Sequence, residues 1–249
     1  MSTPSSPQSS PPDETEENRT ASATYQPTDR RPLASRELKI WQKVAAALAA
    51  RNVSPNFISV AGMIVGVVAG VALYATGETV GWSQRLAWLG AAICIQLRLL
   101  ANMLDGMVAI ASQRASALGE LYNELPDRAS DVAIIIGAGY AAGGTPVLGY
   151  IAACVAVLTA YVRAVGKAAG ASDLFVGPMA KPHRMFTLTV VSVLMFAWPG
   201  GGQLAGINKD GEARYLGVAA LGLAVIILGG CVTIYRRIAR IVRHQQSSH

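Results

Sequence analysis

Apolar residues are not scattered along this chain; they fall into long runs separated by short polar breaks. Six runs stand out, at residues 57–76, 86–111, 120–142, 146–165, 185–198 and 215–235. Most reach the roughly 20 residues that a helix needs to cross a bilayer. Ahead of them lies a different pattern. Leu38, Trp41, Ala45 and Leu48 recur at helical spacing, while Arg36, Lys39 and Lys43 lie towards the other side. Ser35 suits an N-cap, with Glu37 in the first turn. A basic amphipathic helix with one Trp predicts an element lying in the membrane interface, with binding to a partner helix as the lesser reading. Residues 1–34 are rich in Ser, Pro, Thr and Glu and predict a disordered polar tail. The pattern thus predicts an all-α integral membrane protein. Its parts are the tail (1–34), an interfacial amphipathic helix (35–53), a six-helix transmembrane domain (54–243) and a polar end (244–249).

Composition agrees. The 249 residues are 52% hydrophobic and 14% charged, against roughly a quarter charged in a soluble domain. The net charge is +6, a balance that could suggest nucleic acid. The basic residues stand beside the apolar runs, however, so topology and anionic lipid account for them better, and nucleic acid is set aside as a partner. The flanks before the first run, between the fourth and fifth, and after the sixth are basic. The segments 77–85, 142–145 and 199–214 are poorer in net charge. The positive-inside rule therefore places both termini on the cytoplasmic side. No apolar region follows a basic start early enough to read as a secretory signal. Cys94, Cys154 and Cys231 each sit inside an apolar run without paired spacing, which fits small packing residues and implies no disulfide framework.

One stretch breaks the apolar pattern. Residues 102–131 carry Asp105, Glu120, Glu124, Asp127, Arg128 and Asp131 between two hydrophobic runs. Ionisable groups near membrane depth are costly and normally face a protein interior or a wet cavity. Asn102 and Asp105 share a helix face, with Ala109 a turn further on; Asn123, Asp127 and Asp131 line one face of a second helix. Gly119 and the small residues around Ser116 suit a close approach of the two helices. Facing each other, the helices would gather Asn102, Asp105, Asn123 and Asp127 into an oxygen-rich cluster. Such oxygens suit hard cations such as Mg²⁺ or Mn²⁺. The turn between the helices is expected near Gln113 to Ala117. Arg98, one run-turn earlier, reads as a partner for a neighbouring carboxylate at least as well as a substrate contact.

This stretch resembles the signature of the CDP-alcohol phosphotransferases, D-x2-D-G-x2-A-R-x8-G-x3-D-x3-D. The second Asp falls on Asp105, the first Gly on Gly106, the Ala on Ala109, the second Gly on Gly119 and the last Asp on Asp127. Asn102 and Asn123 stand at the first and third Asp positions, and Ile110 stands where the pattern has Arg. Pro55-Asn56 with Ser59 is similar to the P-N-x-x-S entry of the family's first membrane helix.

The resemblance implies a multi-pass cell-membrane enzyme whose site faces the cytoplasm. In such enzymes a hydroxyl attacks a CDP-linked alcohol, usually CDP-diacylglycerol, and CMP leaves. It implies Mg²⁺ or Mn²⁺ as cofactor, and metal ligands at Asp105, Asp127, Asn102 and Asn123, with Glu120 near the same face. Asp127 becomes the candidate base, and Asn56, Ser59, Gly106, Ala109 and Gly119 the nucleotide side. Arg163, Lys167, Lys181 and Arg184 would hold a phosphate of the acceptor or the lipid, with His183 beside them; snorkelling residues that fix topology are the alternative for this group. The implied partners are CDP-diacylglycerol, an alcohol acceptor, the bilayer and a second copy of the chain. Two readings compete with the active transferase. One is a degenerate relative that binds nucleotide lipid or partners without turnover. The other is a transporter, which would need broken helices and a midplane site.

Overall fold

The computed structural model describes residues 39–112, 117–171, 176–209 and 212–247, with the side chains of 117–123, 199, 205–209, 212–215 and 247 outside that description. The expected N-cap at Ser35, the turn at 113–116 and the terminal tails lie outside the described residues. Among the described residues seven α-helices form: α1 Lys39–Ala50, α2 Pro55–Glu78, α3 Gly81–Ala111, α4 Ala117–Tyr140, α5 Pro146–Ala168, α6 Lys181–Ala197 and α7 Val218–Ser247.

Three helices start where the chain supplies a suitable residue. Pro lies within the first two positions of α2, α5 and α6, where its missing N–H is no loss. Thr145 caps α5, its hydroxyl accepting from Leu148 N at 3.2 Å. The expected loop at 77–85 shrinks to Thr79 and Val80, because α3 begins at Gly81. Gln84 ties this corner, donating to the carbonyls of Thr76 and Thr79 at 2.8 and 2.9 Å.

The six long helices alternate in direction and pack as a closed ring. α2 lies against α3 and α4, α3 against α6, α6 against α7, α7 against α5, and α5 against α4; α1 rests on α3. Small residues let the backbones approach. At the α2–α4 contact, a Cβ built on Gly137 would fall 2.2 Å from the Gly70 carbonyl oxygen, so no larger residue fits without separating the helices. Inside the ring lie Leu73, Trp88, Ile95, Ile134, Ile135, Met185, Leu188, Met195, Leu223 and Ile226. Outside, Ile64, Val71, Tyr161, Phe186 and Leu228 are exposed, an apolar belt suited to lipid.

Four helices, α2, α3, α5 and residues 218–246 of α7, are long and apolar enough to cross a membrane. The other two differ for stated reasons. α4 opens with the acidic and basic residues of the signature, and α6 has only 17 residues. The architecture is all-α as expected, with one small addition after α6: a 3₁₀ turn at Pro199–Gly202 leads into an antiparallel hairpin, β1 Ala205–Lys209 and β2 Glu212–Leu216. Lys209 pairs with Glu212 across a two-residue connection, the Asp210-Gly211 dipeptide that favours tight hairpins.

Candidate active site

The alternation of helices brings six helix ends to one end of the ring. Ser59 comes from the start of α2, and Arg98, Asn102 and Asp105 from the second half of α3. α4 supplies Glu124, Asp127, Arg128, Ser130 and Asp131; α5 supplies Arg163 and Lys167; α6 supplies Lys181 and Arg184; α7 supplies Thr233 and Arg237. Glu124, Asp127 and Asp131 therefore meet cations of α5 and α6 that lie 39 to 54 positions away in sequence only because the ring closes.

Asp105 is buried and neatly held: one carboxylate oxygen accepts from Ser59 Oγ at 2.7 Å, the other from the backbone N–H of Gly106 at 2.5 Å. Asp127, also buried, is the most heavily engaged acid. Its Oδ1 pairs with Arg98 and, at 2.6 Å, with Lys181 Nζ. The side-chain amide of Asn102 lies against the same carboxylate; with its nitrogen assigned inward it reaches Oδ1 at 2.7 Å and Oδ2 at 2.9 Å. Both oxygens are acceptors, so the amide presents its donor side. Arg98 is fully buried, and its Nε donates to Ser130 Oγ at 2.9 Å while Nη1 has no partner. One turn deeper, Asp131 and Arg184 form a second buried pair at 2.7 Å. Nearer the surface, Glu124 bridges Arg128 and Arg163, the latter at 2.5 Å.

The segment that delivers Lys181 is pinned from α7. Met179 N–H donates to Thr233 Oγ1 at 2.9 Å, and Arg237 Nε donates to the Val176 carbonyl at 3.3 Å. Gly177 sits at φ 111°, and a Cβ there would fall 2.5 Å from Thr233 Cγ2, so both conformation and space require glycine. Arg184 closes the loop on itself through the Met179 carbonyl at 3.2 Å. Sequence reasoning missed Thr233, Arg237 and Ser130. A hydroxyl and an arginine one turn apart at the end of an otherwise apolar helix were the available signal.

The remaining predicted residues fall as follows. Asn56 is exposed at the entry of α2, and Gly106 and Ala109 are half-buried on α3. Gly119, Glu120 and Asn123 lie on the backbone of α4, with side chains outside the described residues. Lys167 is exposed at the end of α5, and His183 is exposed on α6. Arg98 takes the structural-partner role.

The described residues do not by themselves complete the oxygen cluster expected around a cation, and the side chains of Glu120 and Asn123 lie outside them. Among the described residues no group of three His, Cys, Asp or Glu stands ready to hold a metal. Asp127 already faces two cations. The described donors therefore do not fit a divalent cation held through Asp127.

A family model for CDP-alcohol phosphatidyltransferase matches residues 52–234. The chain belongs to that family. Members are transferases of substituted phosphate groups in phospholipid synthesis, and the apolar helices agree with a multi-pass membrane protein. Solved structures of Mycobacterium tuberculosis phosphatidylinositol phosphate synthase share the fold. The form with CDP-DAG bound has a TM-score of 0.64 at 16% identity, covering 82% of this chain and 94% of that one. The form in complex with manganese and citrate has a TM-score of 0.63 at 16% identity, with 81% and 88% covered. The apo form has a TM-score of 0.60, again at 16% identity, with 80% and 94% covered. No curated protein sequence matches this chain.

Proposed function

We propose that this chain transfers a phosphatidyl group from CDP-diacylglycerol to a hydroxyl acceptor and releases CMP. The observation that carries the reading is the meeting of Asp105 and Asp127, the acids retained from the family pattern, at one end of the ring beside Lys181 and Arg98. In the reaction the acceptor oxygen forms a bond to the lipid-bearing phosphorus. The bond from that phosphorus to the bridging oxygen breaks, CMP departs with that oxygen, and the acceptor proton passes to a base.

The chain's residues suit these needs. Ser59 and Asp105, with Asn56, Gly106, Ala109 and Gly119, form the nucleotide side, where small residues allow close approach to the helix backbone. Lys181 supplies positive charge for the pyrophosphate, with Arg98 behind it as the fixed partner of Asp127. When substrate phosphate draws Lys181 away, one acceptor position on Asp127 Oδ1 opens for the acceptor proton while Arg98 stays in place, as general-base catalysis needs. Arg163 and Lys167, with Arg184 behind them, form the acceptor side. The bilayer position follows the same logic. The basic ends of α5, α6 and α7 share the site's end of the ring, which supports a cytoplasmic-facing site in the cell membrane. A homodimer is part of the proposal, on the strength of the family.

The test is CMP release from CDP-diacylglycerol by the purified full chain, with Mg²⁺ or Mn²⁺ and a panel of alcohols. Release that depends on one alcohol establishes the transferase and names its acceptor. No release with any alcohol, beside saturable CDP-diacylglycerol binding, replaces it with the degenerate reading.

A further inference from the structure

The misfit between the site and a metal leads to a sharper statement about Lys181. We propose that the ammonium of Lys181 occupies the place of a divalent cation on Asp127, so that Lys181 and the metal compete for one carboxylate. The inference rests on the proposed transferase reading for the meaning of the site, and on the geometry alone for the competition.

Three independent features point the same way. Lys181 Nζ lies 2.6 Å from Asp127 Oδ1, a contact that a bound cation would need for itself. The second feature is Arg98, which meets the same oxygen from α3 and is anchored by Ser130, so the carboxylate holds a fixed positive partner even when Lys181 is absent. Asn102 is the third. With an Asp there, the pocket would hold one more negative charge; Asn102 contributes none. Each feature lowers the attraction of a hard cation for this point, since such cations seek anionic oxygens. Lys181 does not arrive there by accident of a flexible side chain. The loop before it is fixed by Thr233 and Arg237, and Pro182 and Arg184 fix the first turn of α6 that follows. A lysine is suited to the task because its single point charge can leave Asp127 for a phosphate and return, whereas Arg98 is locked by two partners.

The experiment is Mn²⁺ binding to the full-length protein in detergent, followed by electron paramagnetic resonance of the free ion. Wild type is compared with Lys181→Met, Lys181→Gln and the charge-keeping Lys181→Arg. The neutral variants are expected to bind Mn²⁺ at least tenfold more tightly than wild type, with Lys181→Arg remaining close to wild type. Equal or weaker binding by folded neutral variants overturns the proposal, as does equal tightening by Lys181→Arg. A second readout needs no substitution. Where Mn²⁺ saturates the wild-type site, acetylation of Lys181 by an amine-reactive reagent is expected to speed up with the same midpoint. Acetylation unmoved while Mn²⁺ binds overturns the proposal; no Mn²⁺ binding to wild type with binding by a neutral variant supports it. CMP release is scored separately. Its absence beside a tightened neutral variant removes the transferase reading and leaves the competition standing.

Discussion

At the residue scale, the two retained acids have different surroundings and predict different failures. Asp105 is held by neutral donors, Ser59 Oγ and the Gly106 amide, so Asp105→Asn keeps the shape and removes charge. Its expected effect is a loss of CMP release by a factor of about 100 or more, the scale set by loss of a positioned catalytic group, with little change in thermal stability. Asp127→Ala should behave otherwise. It strands Arg98 and Lys181 without their shared counter-ion, and breaking a buried pair from one side costs about 3–5 kcal/mol. Denaturation in detergent, compared with Asp127→Asn, measures that cost; equal stability of Asp127→Ala and wild type would remove the counter-ion role. The identities of these acids were legible from spacing. Their partners were not, because Lys181 lies 54 positions from Asp127 and Arg184 lies 53 from Asp131.

At the element scale, contact between α2 and α4 depends on two glycines rather than on apolar bulk. Gly137→Ala would drive a methyl group into the Gly70 carbonyl, and overpacking of this kind costs roughly 1–3 kcal/mol. A lowered denaturation midpoint is the expected result, while the same change at Gly90, which has open space around it, should be near neutral. The α5–α6 loop is governed in the same local manner. Thr233→Val removes the acceptor for the buried Met179 N–H, a loss of about 1–3 kcal/mol. Because that loop presents Lys181, the variant should also weaken CDP-diacylglycerol binding. Unchanged binding would detach Thr233 from the site. Helix periodicity made the elements readable, and Asp210-Gly211 was a readable hairpin signal that the all-α expectation passed over. The pinning of the loop depends on which helix lies behind it, and periodicity carries no such information.

At the scale of the whole molecule, closure of the ring sets both the site and its orientation. The end bearing Asp105, Lys181 and Arg237 is the basic end; the far end is tied by neutral contacts and by Arg85, which stacks on Trp82 and Phe196 and donates to the Phe196 carbonyl at 2.9 Å. Single cysteines introduced at Asn52 and Gln245, in a background lacking the three native thiols, should therefore label from the same side of the membrane. One at Gly143 should label from the opposite side. Labelling of Asn52 and Gln245 positions from different sides would break the alternating six-helix arrangement.

What the sequence determined alone is what depends on composition and short-range spacing. The apolar runs dictated helices in a membrane, since backbone groups there must be satisfied within the segment. The three- and four-residue intervals put Asn102 with Asp105, and Asp127 with Asp131, on common faces. The interval from Asp105 to Asp127 supplied the family pattern. What tertiary structure decided is the pairing of charges in the site: which cation stands on which acid. Those outcomes depend on the order in which helices close the ring, and on Thr233 and Arg237 fixing a loop far away in sequence. Local spacing fixes faces, but only packing assigns each face its partner.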